Sequence, residues 1–355
     1  MKQKIFSTIL IVLLGLSANI QAGAQEKKSY QVGLIAFYNL ENIFDTVDDP
    51  VKIDEQFLPD GSYGWNTLKY MSKLKNMSEA IANIGGKVGG QDIRCPWVVG
   101  VSEVENIDVL NDLIVQPALK KYDFGAVLVE GPDFRGIDVG LIYQKSKFRV
   151  LNTQSVPTID PDYPGWKTRD QLVVQGIFMD DTVYIIVMHW PSRSGGEKKS
   201  EPKRVIAAST CRSIVDAIFA ENPNANIIAM GDLNDDPTNR SVYEVLNAPK
   251  VDDAAELQPN QLFNPFYKIF AKEGVGTLAY RGNWNLFDQI IVSKNLTGKD
   301  RSHVKMLGAR VFNDEGLKAQ EGQYKGYPLR TTASGVWLNG FSDHFPTYLI
   351  MVKEK

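Results

Sequence analysis

Apolar runs of strand length recur along this chain, and each begins or ends on an acid, an amide or an imidazole. The clearest is Ile227-Ile228-Ala229-Met230-Gly231-Asp232-Leu233-Asn234-Asp235. A β-branched run, too short for a helix of its own, closes on a glycine and opens into acidic and amide side chains. Extended backbone past Gly231 would send Asp232 and Asn234 from one face, and Pro237 is expected to stop the strand. Val32–Tyr38 ends at Asn39, Trp97–Val101 runs into Glu103, and Val183–Met188 into His189. Asp288 heads Gln289–Val292, and Phe341-Ser342-Asp343-His344 precedes the last strand, Thr347–Val352. Two of the three histidines therefore sit at strand ends. Singly, such residues cap turns and helices. Together they describe one polar rim.

Between these strands, Asn66–Ile84 carries Leu68, Met71, Leu74, Met77, Ile81 and Ile84 as one buried helical stripe, with Gly85-Gly86 closing it. Helices are also expected over about Asp108–Lys121 and Pro202–Ala220. Phe124–Val129 and Asp138–Tyr143 read as neighbouring strands, and Gln171–Phe178 with Val183–Met188 as a hairpin around Asp180-Asp181. No repeat, linker or low-complexity tract interrupts the pattern. One α/β domain with two sheets is the simplest account.

Residues 1–24 read as a secretory signal peptide: Lys2 and Lys4, an apolar core from Ile5 to Leu16, and Ala22-Gly23-Ala24 as the cleavage site. The core falls short of the roughly 20 residues that span a bilayer, so no stable membrane insertion is expected. The domain is then 25–355, beginning near Gln25. Its implied place is outside the cytoplasm of a bacterium: periplasmic, at the cell surface or extracellular. The formal charge of -3 becomes two more negative without the signal lysines. No basic field marks tight nonspecific binding to nucleic acid. Cys95 and Cys211 read as two unpaired core residues, and no zinc framework can be built from them.

The marks at Tyr38-Asn39-Leu40, Ser102-Glu103-Val104, Met188-His189-Trp190, Gly231-Asp232-Leu233-Asn234, Phe287-Asp288-Gln289-Ile290 and Ser342-Asp343-His344, in that order, resemble the endonuclease/exonuclease/phosphatase superfamily. That superfamily includes deoxyribonuclease I, abasic-site endonucleases, bacterial sphingomyelinases and inositol polyphosphate 5-phosphatases. The resemblance runs from about Val32 to Val352. It implies a four-layer α/β sandwich, two mainly antiparallel sheets face to face with helices outside. It also implies a Mg²⁺ ion, or Mn²⁺ or Ca²⁺ in its place, held by Glu103 with Asn39 and Asp343 near it. Hard divalent ions prefer such oxygen ligands.

In the implied chemistry Asp232 orients or deprotonates the attacking water, and Asn234 holds a phosphate oxygen. His344 donates to the phosphate with Asp288 behind it, and His189 is the second histidine, as in the deoxyribonuclease and sphingomyelinase branches. Glu130 falls where the deoxyribonuclease branch places a carboxylate that orients its histidine. Arg169 is a candidate phosphate ligand, and Trp190 and Trp284 are candidates to stack on a base or sugar. The expected activity is metal-dependent phosphodiester hydrolysis by a monomer, foremost of DNA or RNA. The alternatives are a sphingomyelinase-like phospholipase C, a phosphomonoesterase on inositol or sugar phosphates, and, from another class, a catalytically dead binding protein.

Overall fold

The computed structural model describes residues 28–355; the signal peptide expected over residues 1–24 lies outside them. Twelve strands form two six-stranded sheets. The first runs Lys305–Val311, Thr347–Glu354, Tyr30–Ile43, Val98–Val104, Asp138–Gln144, Phe124–Leu128. The second runs Leu262–Phe263, Asp288–Ser293, Asn226–Asp232, Asp181–His189, Gln171–Phe178, Phe148–Val156. Each sheet holds one parallel pair, its two central strands, and is otherwise antiparallel.

Side-chain alternation explains the layering. Ile35 and Phe37 of the first sheet meet Ile228, Met230, Ile185 and Val187 of the second in the core between the sheets. Leu34, Ala36 and Tyr38, on the opposite face, pack under Leu74, Met77 and Ile81 of the helix Thr67–Asn83. Ile227 and Ala229 pack under Ala208, Cys211 and Val215 of the helix Glu197–Glu221. The result is the four-layer α/β sandwich that the sequence implied. Both cysteines are buried and free, and among the described residues no helix is long and apolar enough to cross a membrane.

Local departures have physical causes. Leu68 and Met71 are exposed, because a spacing of three drifts around a 3.6-residue helix; Tyr70, Lys73 and Leu74 take the buried face instead. Gly85 is not a helix cap. It opens the hairpin Gly85–Val88 with Gln91–Arg94 at φ 136°, where a Cβ would lie 2.1 Å from Ile93 O. Pro117 divides the expected Asp108–Lys121 helix into Ile107–Ile114 and Pro117–Lys120. The Pro202–Ala220 helix begins earlier, at Glu197. The hairpin turns on Met179-Asp180, both with positive φ, with Asp181 already paired to Phe178.

Gly231 permits the close parallel pairing that seats Asp232 beside His189. A Cβ there would lie 2.0 Å from the Met188 carbonyl oxygen. Backbone cannot yield as a side-chain tip can, so Gly231→Ala is expected to cost about 3 kcal/mol or more. Chemical denaturation of the purified variant measures it.

Candidate active site

The two parallel pairs end on the same rim, and local irregularities there aim the polar side chains. Glu103 is an extra residue in its strand: Ser102 and Val104 pair with both neighbouring strands while Glu103 stands out of register at φ 59°. Such a bulge re-aims one side chain. The neighbouring strand slips between Asn39 and Ile43, with Glu41 at φ 51° and Asn42 at φ 48°. Asn42 N donates to Glu103 Oε2 at 3.0 Å. The second sheet is cut off differently. Its strand ends at Asp232, not at Pro237, because Asp232 Oδ1 accepts from Asn234 N (2.9 Å) and Asn234 turns to φ 48°. Asp232 and Asn234 are thus joined by an Asx turn, not placed on one face by extended backbone.

Asn39 joins the two sheets: its Nδ2 donates to Glu103 Oε1 (3.2 Å) and to Asp232 Oδ2 (3.0 Å). His189 Nε2 lies 3.6 Å from Asp232 Oδ2 and 3.9 Å from Glu103 Oε1. His344 Nε2 lies 3.9 Å from the same Asp232 oxygen, while its Nδ1 is 2.7 Å from Asp288 Oδ2. Ser342 fixes this segment by donating to Asn39 O and accepting from His344 N. Six of the sequence-derived residues therefore converge: Asn39, Glu103, His189, Asp232, Asp288 and His344.

The two histidines are electrostatic opposites. Burial works against a charge on both. At His344 the Asp288 carboxylate outweighs it, with Asp343 and Asp232 adding, and the imidazolium is held well above the usual histidine range. His189 has no such partner. Burial, then Arg169 and Arg135, holds it neutral, well below that range. Burial also pushes Asp232 up to about 7, against the pull of His344.

The remaining residues stand elsewhere. Arg169 does not offer its guanidinium to a ligand: it is buried, donating to His189 O (3.2 Å), Trp190 O (2.7 Å) and Asp133 Oδ2 (3.1 Å). It props the His189 backbone. Trp190 is 1% exposed, under the second sheet's helix, so stacking on a substrate is closed to it. Trp284 is half-buried, against Phe345 and Tyr327. Asn234 directs its amide to Trp190 O (2.9 Å). Glu130 is exposed and bonds no histidine; His189 Nδ1 is buried without a hydrogen-bond partner among the described residues.

Residues without an assigned role in the sequence brace the rim. Arg330 spans Glu41 (3.3 Å) and Asp343 (2.9 Å), and no motif surrounds it. Asp236 accepts from Asn285 and from Leu286 N, and Asp235 is paired with buried Arg204 at 2.7 Å. The run of acids after Asp232 was the signal for these two.

The donor set suits a hard divalent cation. Glu103, His189 and Asp232 each bring a ligand atom within 4.8 Å of the others, as do Asp232, Asp288 and His344. Asp343 belongs to neither cluster. Asn39 turns its amide N–H, not its carbonyl, toward the carboxylates, and its Oδ1 accepts from Glu41 N; as placed, it spaces them. Two acids from separate sheets bridged by one amide leave negative charge that a cation would neutralise.

Known proteins share this fold. The chain superposes on D. rerio TDP2 complexed with a single-strand DNA product, at TM-score 0.52 and 16% identity, over 90% of this chain and 98% of that one. It also superposes on a Bacteroides thetaiotaomicron endonuclease/exonuclease/phosphatase family protein at TM-score 0.52 and 17% identity, covering 92% and 97%. A truncated Caenorhabditis elegans TDP2 gives TM-score 0.51 and 12% identity, covering 91% and 98%. These likenesses are of fold. No curated protein matches the sequence. The family model described as Endonuclease/Exonuclease/phosphatase family matches residues 34–353, nearly everything from the first strand to the last, and the chain therefore belongs to the endonuclease/exonuclease/phosphatase family.

Proposed function

We propose that the protein is an exported, divalent-cation-dependent phosphodiester hydrolase that cleaves DNA or RNA outside the cytoplasm as a monomer. The observation that carries this is two clusters that share Asp232 on the rim: Glu103 and a neutral His189 on one side of it, a charged His344 backed by Asp288 on the other. Glu103 would hold the cation, Mg²⁺ foremost, with Asp232 and His189 in reach; bound there, it supplies neutralisation of the phosphoryl oxygens. Asp232, once ionised, accepts the proton of the attacking water. Its Oδ2 faces both histidines, while Asn234 N and Asn39 Nδ2 keep the carboxylate from turning. His344 Nε2 donates to the phosphoryl group, its charge sustained by Asp288 at Nδ1. Neutral His189 Nε2 has one free role, as donor or acceptor according to tautomer. Family membership supports phosphoric ester chemistry, and the DNA product in the fold-related D. rerio structure supports nucleic acid as substrate.

The phospholipase reading has no such support. The apolar stretch Asn264–Phe270, which could have served to dock on a membrane, instead packs in the short helix Phe266–Ala271 with Phe266 fully buried. Plasmid DNA and single-stranded RNA are expected to be cut with Mg²⁺ or Mn²⁺, and EDTA to slow cleavage at least about 100-fold. Cleavage unchanged by EDTA would rule the proposal out. Fractionation of cells making the full chain tests export.

A further inference from the structure

The residues on either side of His344 are both held from one short stretch of chain, Tyr324–Arg330. Before the histidine, Asp343 Oδ2 accepts from Arg330 Nη2 at 2.9 Å. After it, Phe345 stacks on Trp284 with ring centroids 6.1 Å apart, and Trp284 meets Tyr327 edge-on at 5.4 Å. Tyr324 continues the row, 5.9 Å from Tyr327. The rings thus lead outward from the rim, from Phe345 at 1% exposed to Tyr324 at 56%. A lone exposed tyrosine is ordinary. This one ends a packed row rooted beside the catalytic imidazole.

Arg330 is only part-used. Its Nε meets Glu41 Oε1 at 3.3 Å and its Nη2 meets Asp343, but Nη1 donates to no described residue and the side chain is 50% exposed. Glu41 has another donor in Thr331 N, at 2.6 Å. Arg169 and Arg193, also near the rim, differ. Arg169 is buried and spent on two carbonyls and Asp133, and Arg193 on Asn234 O, Glu197, Asp235, Asp236 and Asn239. A planar fork anchored on one edge and open on the other suits a phosphate. The stretch is also built to stay put. Tyr327 O accepts from Ala319 N, Leu329 N donates to Leu317 O, and Leu329 O accepts from Phe341 N. Buried Lys73 ties Thr331 to the Phe341 carbonyl. Little ordering is left when a ligand arrives.

We propose that Tyr324–Arg330 is a subsite for a single strand of nucleic acid leaving the cleft on the His344 side. Arg330 holds a phosphate next to the one cleaved, and Tyr324 stacks on a base further along the strand. The inference rests on the proposed action on nucleic acid. A chain with a formal charge of -3 has no basic field to grip a polyanion, so a few placed contacts must do so, and stacking beside a guanidinium serves any sequence. Bases paired in a duplex are closed to Tyr324, so unpaired strands are preferred.

Fluorescence anisotropy of a labelled oligothymidylate tests this, with Mg²⁺ present and every protein carrying Asp232→Asn so that the strand is not consumed. The single strand is expected to bind more tightly than the same strand paired with oligoadenylate. Tyr324→Ala should weaken single-strand binding about 10-fold, and Tyr324→Phe should restore it. Arg330→Ala should flatten the slope of log affinity against log salt by about 0.7, the value for one phosphate of a single strand, and Arg330→Lys should keep the slope. An arginine that merely braced the rim would leave the slope alone. An unchanged slope in Arg330→Ala, or unchanged affinity in Tyr324→Ala, overturns the subsite. If Arg330→Ala does not fold, the exposed Tyr324 decides. DNA cleavage by the native protein with both variants binding normally would sink the subsite and keep the proposed activity. The expected binding losses with no cleavage of DNA or RNA would do the reverse.

Discussion

Replacing His344 with alanine is expected to lower kcat by about 10³-fold, within the range for losing a positioned proton donor. Among the described residues the imidazolium is the only cationic group facing the Asp232 oxygen at which the clusters meet, and Asp288 holds it charged from behind. Removing it leaves Asp288 buried without its partner, so the Tm of the variant must be measured alongside its rate. Two substrates separate the possible roles. If His344 protonates the leaving oxygen, a p-nitrophenyl diester, whose leaving group needs no proton, should lose far less rate than a dinucleotide. If it stabilises the phosphoryl oxygens, both should lose equally. A loss below about 10-fold on the dinucleotide would remove His344 from the chemistry.

Asp232→Asn is expected to cost a comparable factor, about 10³-fold in kcat, and to change the shape of the pH profile. Burial pushes the Asp232 carboxyl up to about 7 in the cation-free protein. Its ionised form is the proton acceptor, so activity should fall as pH drops through that value. A raised acid is protonated on the acidic side, and the limb must therefore lie there. Added divalent cation favours the carboxylate and should move the limb to lower pH as its concentration rises. Loss of activity at high pH should follow His344, whose proton persists above the ordinary histidine range. In Asp232→Asn the acidic limb near 7 should vanish from whatever activity is left. A limb that stays in place would assign the base elsewhere, with His189 the nearest candidate.

What the sequence made legible was where strands stop. Asn39, Glu103, His189, Asp232, Asp288 and His344 stand out in the sequence because each interrupts an apolar run, and a double-sided core makes such interruptions conspicuous. Their aim was not legible. Glu103 reaches the cleft through a bulge at positive φ, and an Asx turn carries the Asn234 side chain to the Trp190 carbonyl instead; neither follows from extending the strand. Arg169 was misread for a related reason. Its guanidinium neutralises Asp133 and supports two carbonyls contributed from elsewhere in the chain, partners that no local pattern reveals. The strand Phe148–Val156 escaped notice because it is an edge strand, with one face largely in water and polar residues along it. Trp190 looked like a stacking surface beside a catalytic histidine, but the turn after His189 folds its ring inward.

The final strand, Thr347–Glu354, pairs along the first, Tyr30–Ile43, from Tyr30 opposite Glu354 to Phe37 opposite Thr347. In a chain made N-terminus first, Asn39 and Glu103 therefore emerge well before the strand that flanks Tyr30–Ile43 on its other side. His344 and the strand that seats it follow every other residue of the rim in the chain. The rim therefore cannot assemble on any stretch that stops short of Thr347–Glu354.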